Sequence, residues 1–171
     1  PSNGDEPKPP KSIRRVCRDA SNIDLALISV PGDYAGIEAW NALQQDLHVH
    51  LFSDGVPISV ERDLKEAARE DDKLLMGPDC GTAIINGLPL GFANEVPNGQ
   101  VGIVSASGTG LQAVSSRLAR RNVGISQAIG TGGRDLSESI EGLTTRTALE
   151  QLDNDSTEVI ILISKPPAES A

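Results

Sequence analysis

The residues of this chain with the strongest chemical potential sit in Val101-Gly-Ile-Val-Ser-Ala-Ser-Gly-Thr-Gly110. Val101 to Val104 reads as a short buried strand, Ser105-Ala-Ser-Gly108 as a tight turn of small residues, and Thr109 onward has helical spacing. Such a strand-to-helix turn aims backbone N–H groups at whatever lies above it, and the helix dipole adds positive potential. An anion such as a phosphate, a carboxylate or carbamoyl phosphate is the natural guest of Ser105, Ser107, Gly108 and Thr109. The stretch is neither a P-loop nor a dinucleotide fingerprint, because it lacks both the GK[ST] ending and the G-x-G-x-x-G spacing. Its plain alternative is a turn required only by packing.

A second turn, Gly130-Thr-Gly-Gly-Arg-Asp135, closes the next predicted strand and should lie beside the first. Gly132 and Gly133 let a ligand approach the backbone closely. Arg134 could grip a carboxylate with two parallel hydrogen bonds, or could pair with Asp135 or a helix end. Lys165, in Ser164-Lys-Pro-Pro167, follows the last strand and could neutralise an anion. Cys80 closes Met76-Gly-Pro-Asp-Cys80; a lone thiol with no fixed His partner points to small-residue packing more than to reactivity. His48 and His50 alternate on one strand and share a face, but no third metal ligand is evident, so a solvated face is expected and no metal.

Alternating elements must position these turns. Asp24 to Val30 is an apolar run without polar alternation, as in a parallel strand covered on both faces. Helix Tyr34 to Asp46 follows, with Ile37, Trp40 and Leu43 on one side. Strand Leu47 to Phe52, helix Ile58 to Glu70 with a charged outer face, and a short strand Leu74 to Met76 come next. Thr82 to Gly99, rich in Gly, Pro and Asn, reads as a loop or hairpin and as the domain boundary. Helix Thr109 to Arg121, strand Ile125 to Ile129, helix Ser137 to Leu152 and strand Glu158 to Ile163 complete the alternation. This order predicts right-handed βαβ units in open parallel sheets, with ligands at the carboxyl ends of the strands.

Of 171 residues, 24 are acidic and 15 basic, and the net charge of −9 argues against nucleic acid as a partner. Aromatics make up only 2%, so the cores must rest on Val, Ile, Leu and Ala. Two cysteines, Cys17 and Cys80, make no disulfide framework and suit a cytoplasmic setting. No apolar run reaches the roughly 18 residues a membrane span needs, and no signal peptide is seen. The Pro-rich start, and a last strand so close to Ala171, lead us to expect a fragment.

Taken together, Val101-Gly-Ile-Val-Ser-Ala-Ser-Gly-Thr109, Met76-Gly-Pro-Asp-Cys-Gly-Thr82, Phe52-Ser-Asp-Gly-Val-Pro57, Gly132-Gly-Arg-Asp-Leu136 and Ser164-Lys-Pro-Pro-Ala-Glu169 resemble the succinyl-CoA synthetase α-subunit superfamily. These are the nucleoside-diphosphate-forming acyl-CoA synthetases, and the resemblance is closest to their FdrA branch. It implies an α/β chain: a linker or chain edge over 1–20, a CoA-binding Rossmann-like domain over 21–95, and the first half of a flavodoxin-like ligase domain over 100–171. The resemblance implies that Pro31, Phe52, Ser53, Asp54, Gly55 and Cys80 lie on the CoA side. It also implies partner subunits or a homo-oligomer, and CoA or a small anionic substrate as ligand.

The sequence departs from that pattern. No residue matches the family's phosphorylated histidine; Ala106 replaces the usual arginine, Gln112 the frequent tyrosine, and Lys165 lies where the steadying glutamate is expected. The glycine-rich first turn of the CoA domain has no counterpart here. The FdrA branch is also linked to purine and allantoin breakdown, as one subunit of an oxamate carbamoyltransferase. That transfer needs amide donors and cations around a phosphate leaving group rather than a protein nucleophile. A non-catalytic ligand-binding or assembly subunit is the third reading.

Overall fold

The computed structural model describes residues 12–20 and 22–169. The chain forms two sheets side by side. The first is a three-stranded parallel sheet in the order β1 (Leu25–Ile28), β2 (His48–Leu51), β3 (Leu75–Met76). Helices α1 (Ile13–Asp19), α2 (Gly32–Leu43) and α3 (Ile58–Glu70) pack with it. The second has five strands in the order β5 (Leu88–Gly91), β4 (Thr82–Ile85), β7 (Ile125–Gly130), β6 (Asn98–Ser105), β8 (Val159–Ile163), with helices α4 (Gly108–Ala119) and α5 (Leu143–Leu152). Within it β7, β6 and β8 are parallel, and the β4–β5 hairpin adds antiparallel strands at one edge. The expected α/β class with Rossmann-like parallel strands is what the chain adopts. The segment 82–99 belongs to the second sheet, so the chain passes from one sheet to the other at residues 77–81.

The core explains how a chain poor in aromatics holds together. One cluster, with Val49, Leu51, Leu64 and Leu75, lies around the first sheet. Another joins Leu74, Met76 and Cys80 to Val104, Ile129, Ala148 and Leu152, so both sheets share apolar contacts. A third, Ile84, Ile103, Leu111, Ile125 and Ala128, lies around the second sheet.

Several expectations are corrected. Within the stretch read as a linker, Ser12 caps α1, its hydroxyl accepting from the Arg15 N–H at 3.3 Å; residues 1–11 of that linker lie outside the described residues. In α2 the buried face is Ala35, Gly36, Ala39, Ala42 and Leu43, whereas Ile37 is 60% exposed and Trp40 37%. Small residues let this helix approach its neighbours closely: a Cβ on Gly36 would lie 2.9 Å from Val60 Cγ1. Helix α5 starts at Leu143 rather than Ser137, because Glu141 and Gly142 adopt left-handed φ values of 57° and 71°. His48 and His50 are not on a solvated face. His48 is half-buried and its Nδ1 accepts from the Leu74 N–H at 2.9 Å; His50 is fully buried.

Candidate functional site

Two adjoining spaces open at the carboxyl ends of the strands, and Asp79 and Gly81 border both. The larger is a cleft of about 440 Å³. Its walls include Val30 and Pro31 after β1, Phe52, Ser53 and Asp54 after β2, and Phe92 after β5. The turn after β2 is fixed by backbone bonds from Phe52 and Ser53 N–H to the Ile28 carbonyl, and by the Ser53 hydroxyl, which accepts from the Val30 N–H at 2.9 Å. Gly32 is required where α2 starts, since a Cβ there would lie 2.5 Å from the Asp54 carbonyl oxygen. Gly55 takes a left-handed φ of 72° and turns the chain toward α3. Phe92 stands edge-on to Phe52 with ring centroids 5.3 Å apart and is 68% exposed. Its place in an irregular segment gave the sequence reading no sign of it.

The smaller space, about 10 Å³, lies among Cys80, Thr82, Ser105, Ala106, Gly108 and the glycines 130 and 132. The Ser105 hydroxyl donates to the Ser107 carbonyl at 2.8 Å and accepts from the Ser107 N–H at 3.1 Å. The Ser107 hydroxyl caps α4, accepting from the Gly110 N–H at 3.1 Å. Both hydroxyls are therefore spent largely on the turn itself. The N–H groups of Gly108 and Thr109, at the start of the helix, have no intrahelical partners by helix geometry. Thr109 is exposed and its hydroxyl lies 3.4 Å from that of Ser107. Gln112 donates from Nε2 to the Thr82 hydroxyl at 2.9 Å, tying α4 to β4.

The second glycine turn packs beside this one. Thr131 N–H donates to the Ser105 carbonyl at 2.8 Å, and Gly132 has a φ of 86° with no room for a Cβ against Pro78. Lys165 Nζ lies 3.0 Å from where a Gly133 Cβ would be, and Asp79 Oδ2 lies 3.8 Å from the same point. A cation and a carboxylate thus both lie near Gly133 without forming an ion pair. Arg134 is engaged elsewhere: its guanidinium donates to the Val56 carbonyl at 2.8 Å and sits 2.7 Å from Glu61. Cys80 is buried, with Sγ 3.6 Å from the Thr82 carbonyl oxygen, and burial pushes its thiol up to about 12, so it stays protonated at neutral pH.

The sequence reading missed a buried charge cluster beneath these turns. Lys65, 1% exposed at its side chain, places Nζ 2.7 Å from Asp135, 3.0 Å from Glu61 and 3.0 Å from the Thr131 carbonyl oxygen. Asp135 in turn caps α5, accepting from Thr144 N–H at 3.1 Å, Thr145 N–H at 2.9 Å and the Thr145 hydroxyl at 2.6 Å. Residues 61, 64, 65 and 68 share one helix face. Charges there beside Leu64 and Ala68 were the available signal.

A further cleft, about 690 Å³, lies at the opposite, amino ends of β1 to β3, beside Asp24, His48 and Lys73, and contains none of the predicted turns. Among the described residues no group of three His, Cys, Asp or Glu is placed to hold a metal ion. Among them, too, no helix is long and apolar enough to cross a membrane.

No protein-family model matches the chain. It is 58% identical over 146 residues to the Escherichia coli (strain K12) protein YahF, itself uncharacterized, covering 85% of this chain and 28% of YahF. It is 27% identical over 150 residues to succinate–CoA ligase [ADP-forming] subunit alpha 1 of Archaeoglobus fulgidus, covering 85% of this chain and 50% of that subunit. The corresponding alpha subunit of Aquifex aeolicus is 29% identical over 149 residues, with 83% and 48% covered. The chain thus spans about half of these ligase subunits and less of YahF. Among solved structures, ATP citrate lyase from Methanothrix soehngenii, in complex with citrate and coenzyme A, superposes with a TM-score of 0.77 at 22% identity over 89% of this chain and 26% of its own. The apo acetyl-coenzyme A synthetase 1 of Ca. Korarchaeum cryptofilum gives 0.66 at 20% identity, over 90% and 34%. The structural likenesses establish the fold, and the sequence relatives support the succinyl-CoA synthetase superfamily.

Proposed function

We propose that this chain is the CoA-binding region and adjoining ligase-type segment of an FdrA-type, acyl-CoA synthetase-like enzyme subunit. The observation that carries this is the cleft of about 440 Å³. It opens at Val30-Pro31 and Phe52-Ser53-Asp54, two turns that the family resemblance puts on or near the CoA side. Its chemistry suits the non-phosphate parts of CoA: Phe52 and Phe92 offer aromatic surface, and the Asp54 and Asp79 carboxylates can accept from ribose hydroxyls or the adenine amino group. Phosphate or carboxylate groups suit the Gly108 and Thr109 N–H groups and Lys165 instead. When bound, CoA would supply the thiol that receives an acyl group; the residues named here bind and orient. Cys80, buried and protonated, has no nucleophilic role in this reading. The alpha subunits among the relatives favour a partner subunit or oligomer, with the segment as one working part.

A second reading, a carbamoyltransferase subunit acting on oxamate and carbamoyl phosphate, is favoured by the Lys165 ammonium over Gly133. Calorimetric titration of the intact protein with CoA and with carbamoyl phosphate separates the two. Saturable CoA binding without a carbamoyl phosphate response is expected, and would sink the transferase. The reverse would overturn the ligase reading, and no binding of either, with partner subunits present, would leave an assembly role.

A further inference from the structure

The turn beside the cleft and the glycine turn are joined by a line of ion pairs and hydrogen bonds. It starts at the Val56 carbonyl, at the end of the turn that walls the cleft, which accepts from Arg134 at 2.8 Å. Arg134 pairs at 2.7 Å with Glu61, and Glu61 lies 3.0 Å from Lys65, on the helix that begins directly after this turn. Lys65 then holds both Asp135 and the Thr131 carbonyl, at 2.7 and 3.0 Å. Thr131 N–H is bound to Ser105 of the anion turn. Two cations lie beside two carboxylates, so the charges balance, but Lys65 donates hydrogen bonds only to Asp135 and Thr131: Glu61 sits within ion-pair distance of Lys65 and Arg134 while its two buried oxygens accept no hydrogen bond among the described residues. Glu61, Lys65 and Asp135 are buried. Arg134, which makes the link to Val56, is exposed at 44% of its side chain, but its partner Glu61 is buried, and drawing Glu61, Lys65 or Asp135 away from its partners leaves a desolvated ion behind.

We propose that Glu61 and Lys65 are positioning residues that couple the two spaces, so that the pose of Phe52–Val56 and the pose of Gly130–Asp135 change together. Resting on the functional reading above, the inference adds that filling the cleft alters anion affinity at Ser105–Thr109 and Lys165, and the converse by linkage. Neither residue borders the cleft or the anion turn; both act through Arg134, Thr131 and Asp135.

The test compares the intact protein with its Glu61→Gln variant, which keeps the side-chain shape and removes the charge. Hydrogen exchange is followed by mass spectrometry, and CoA affinity is measured with and without inorganic phosphate. The expected result is faster exchange at 52–56 and 130–135 together, with the β4–β5 hairpin unchanged. Phosphate should shift the CoA affinity of the parent by at least about fivefold, and that of the variant by less than about twofold. Faster exchange confined to α3, or an undiminished phosphate effect in the variant, would overturn the coupling. If CoA does not bind the parent, the functional reading falls while the exchange arm still decides whether the two turns move together. Lys65→Met supplies an independent second variant for that arm.

Discussion

The turn after β6 and the turn after β2 make opposite use of similar residues. Both follow a parallel strand and both carry Ser and Gly. At Ser105–Thr109 the serine hydroxyls are folded back onto the turn's own backbone, and little space remains, about 10 Å³. At Phe52–Gly55 the single serine ties the turn to β1, and the remaining side chains border about 440 Å³ of open cleft. A run of small polar residues therefore signals a tight turn first and a binding site second. The open volume comes from larger, less suggestive neighbours: Pro31, Phe52 and Phe92. In the tight turn the serine hydroxyls are engaged, which leaves backbone N–H groups at the start of α4 as the free donors. In the cleft a ligand would be held by side chains.

The largest effect that would break this contrast is loss of the cluster that keeps the second glycine turn packed. Lys65→Met leaves Asp135 with its Thr144 and Thr145 donors and Glu61 with Arg134, but removes the cation between them. Urea unfolding of the intact protein should show a loss of about 3–5 kcal/mol, the usual cost of deleting one partner of a buried pair. Replacing Glu61 and Lys65 together with methionine should recover part of that loss, since no carboxylate is then left facing an empty cation site on α3. A single-variant loss under about 1 kcal/mol would mean that the packed turn does not depend on this cluster.

A smaller effect tests whether the tight turn holds an anion at all. Ser107→Asp keeps a good helix cap but places a negative charge at the opening of α4. Affinity for carbamoyl phosphate or inorganic phosphate should fall by at least about tenfold, roughly 1.4 kcal/mol, with the unfolding midpoint little changed. Ser107→Ala should show the complement: about 1 kcal/mol of stability lost with the cap, and anion affinity kept. If Ser107→Asp binds the anion as well as the parent does, the turn is structural only.

What could be read from the chain follows the range of the forces involved. The strands were legible because Leu25–Ile28, Val101–Val104 and Val159–Ile163 are unbroken apolar runs, and α3 was legible at both ends because Pro57 and Asp71-Asp72 bracket a strongly periodic segment. The inward face of α2 is not legible in the sequence, because Ile37 and Trp40 outrank alanine on any hydrophobic scale, yet only the small residues fit that close packing. Helix α1 was hidden by the prolines just before it. The turns of the candidate site were visible as turns. That Lys65 reaches Asp135, 70 positions away, was not, because no local pattern encodes a contact closed only when two sheets meet. The same holds for His50, whose alternation with His48 gave the face but not what covers it.

His50 yields the gentlest test, and it probes the strand beneath both turns. Its Nε2 lies 2.7 Å from the Cys80 carbonyl oxygen. A carbonyl only accepts, so Nε2 carries the proton, and the buried Nδ1 has no partner among the described residues. Protonating Nδ1 would place an unpaired N–H and a charge in the core, and burial accordingly holds His50 below the usual histidine range. Half-buried His48, near Lys73, is held low as well, chiefly by burial. In the unfolded chain both take a proton near pH 6.5. The unfolded state therefore binds more protons below that value, and stability must fall as pH drops through about 6.5, being fully present above it. Urea midpoints measured from pH 8 to pH 5 should show this slope. His50→Gln, which retains an amide donor for the Cys80 carbonyl, should flatten it and leave only the share due to His48. An unchanged slope would mean that His50 takes its proton as readily in the fold as in the unfolded chain. The strand below the cleft would then have to contain a counter-charge, which would make the floor beneath Cys80 as polar as the turns above it.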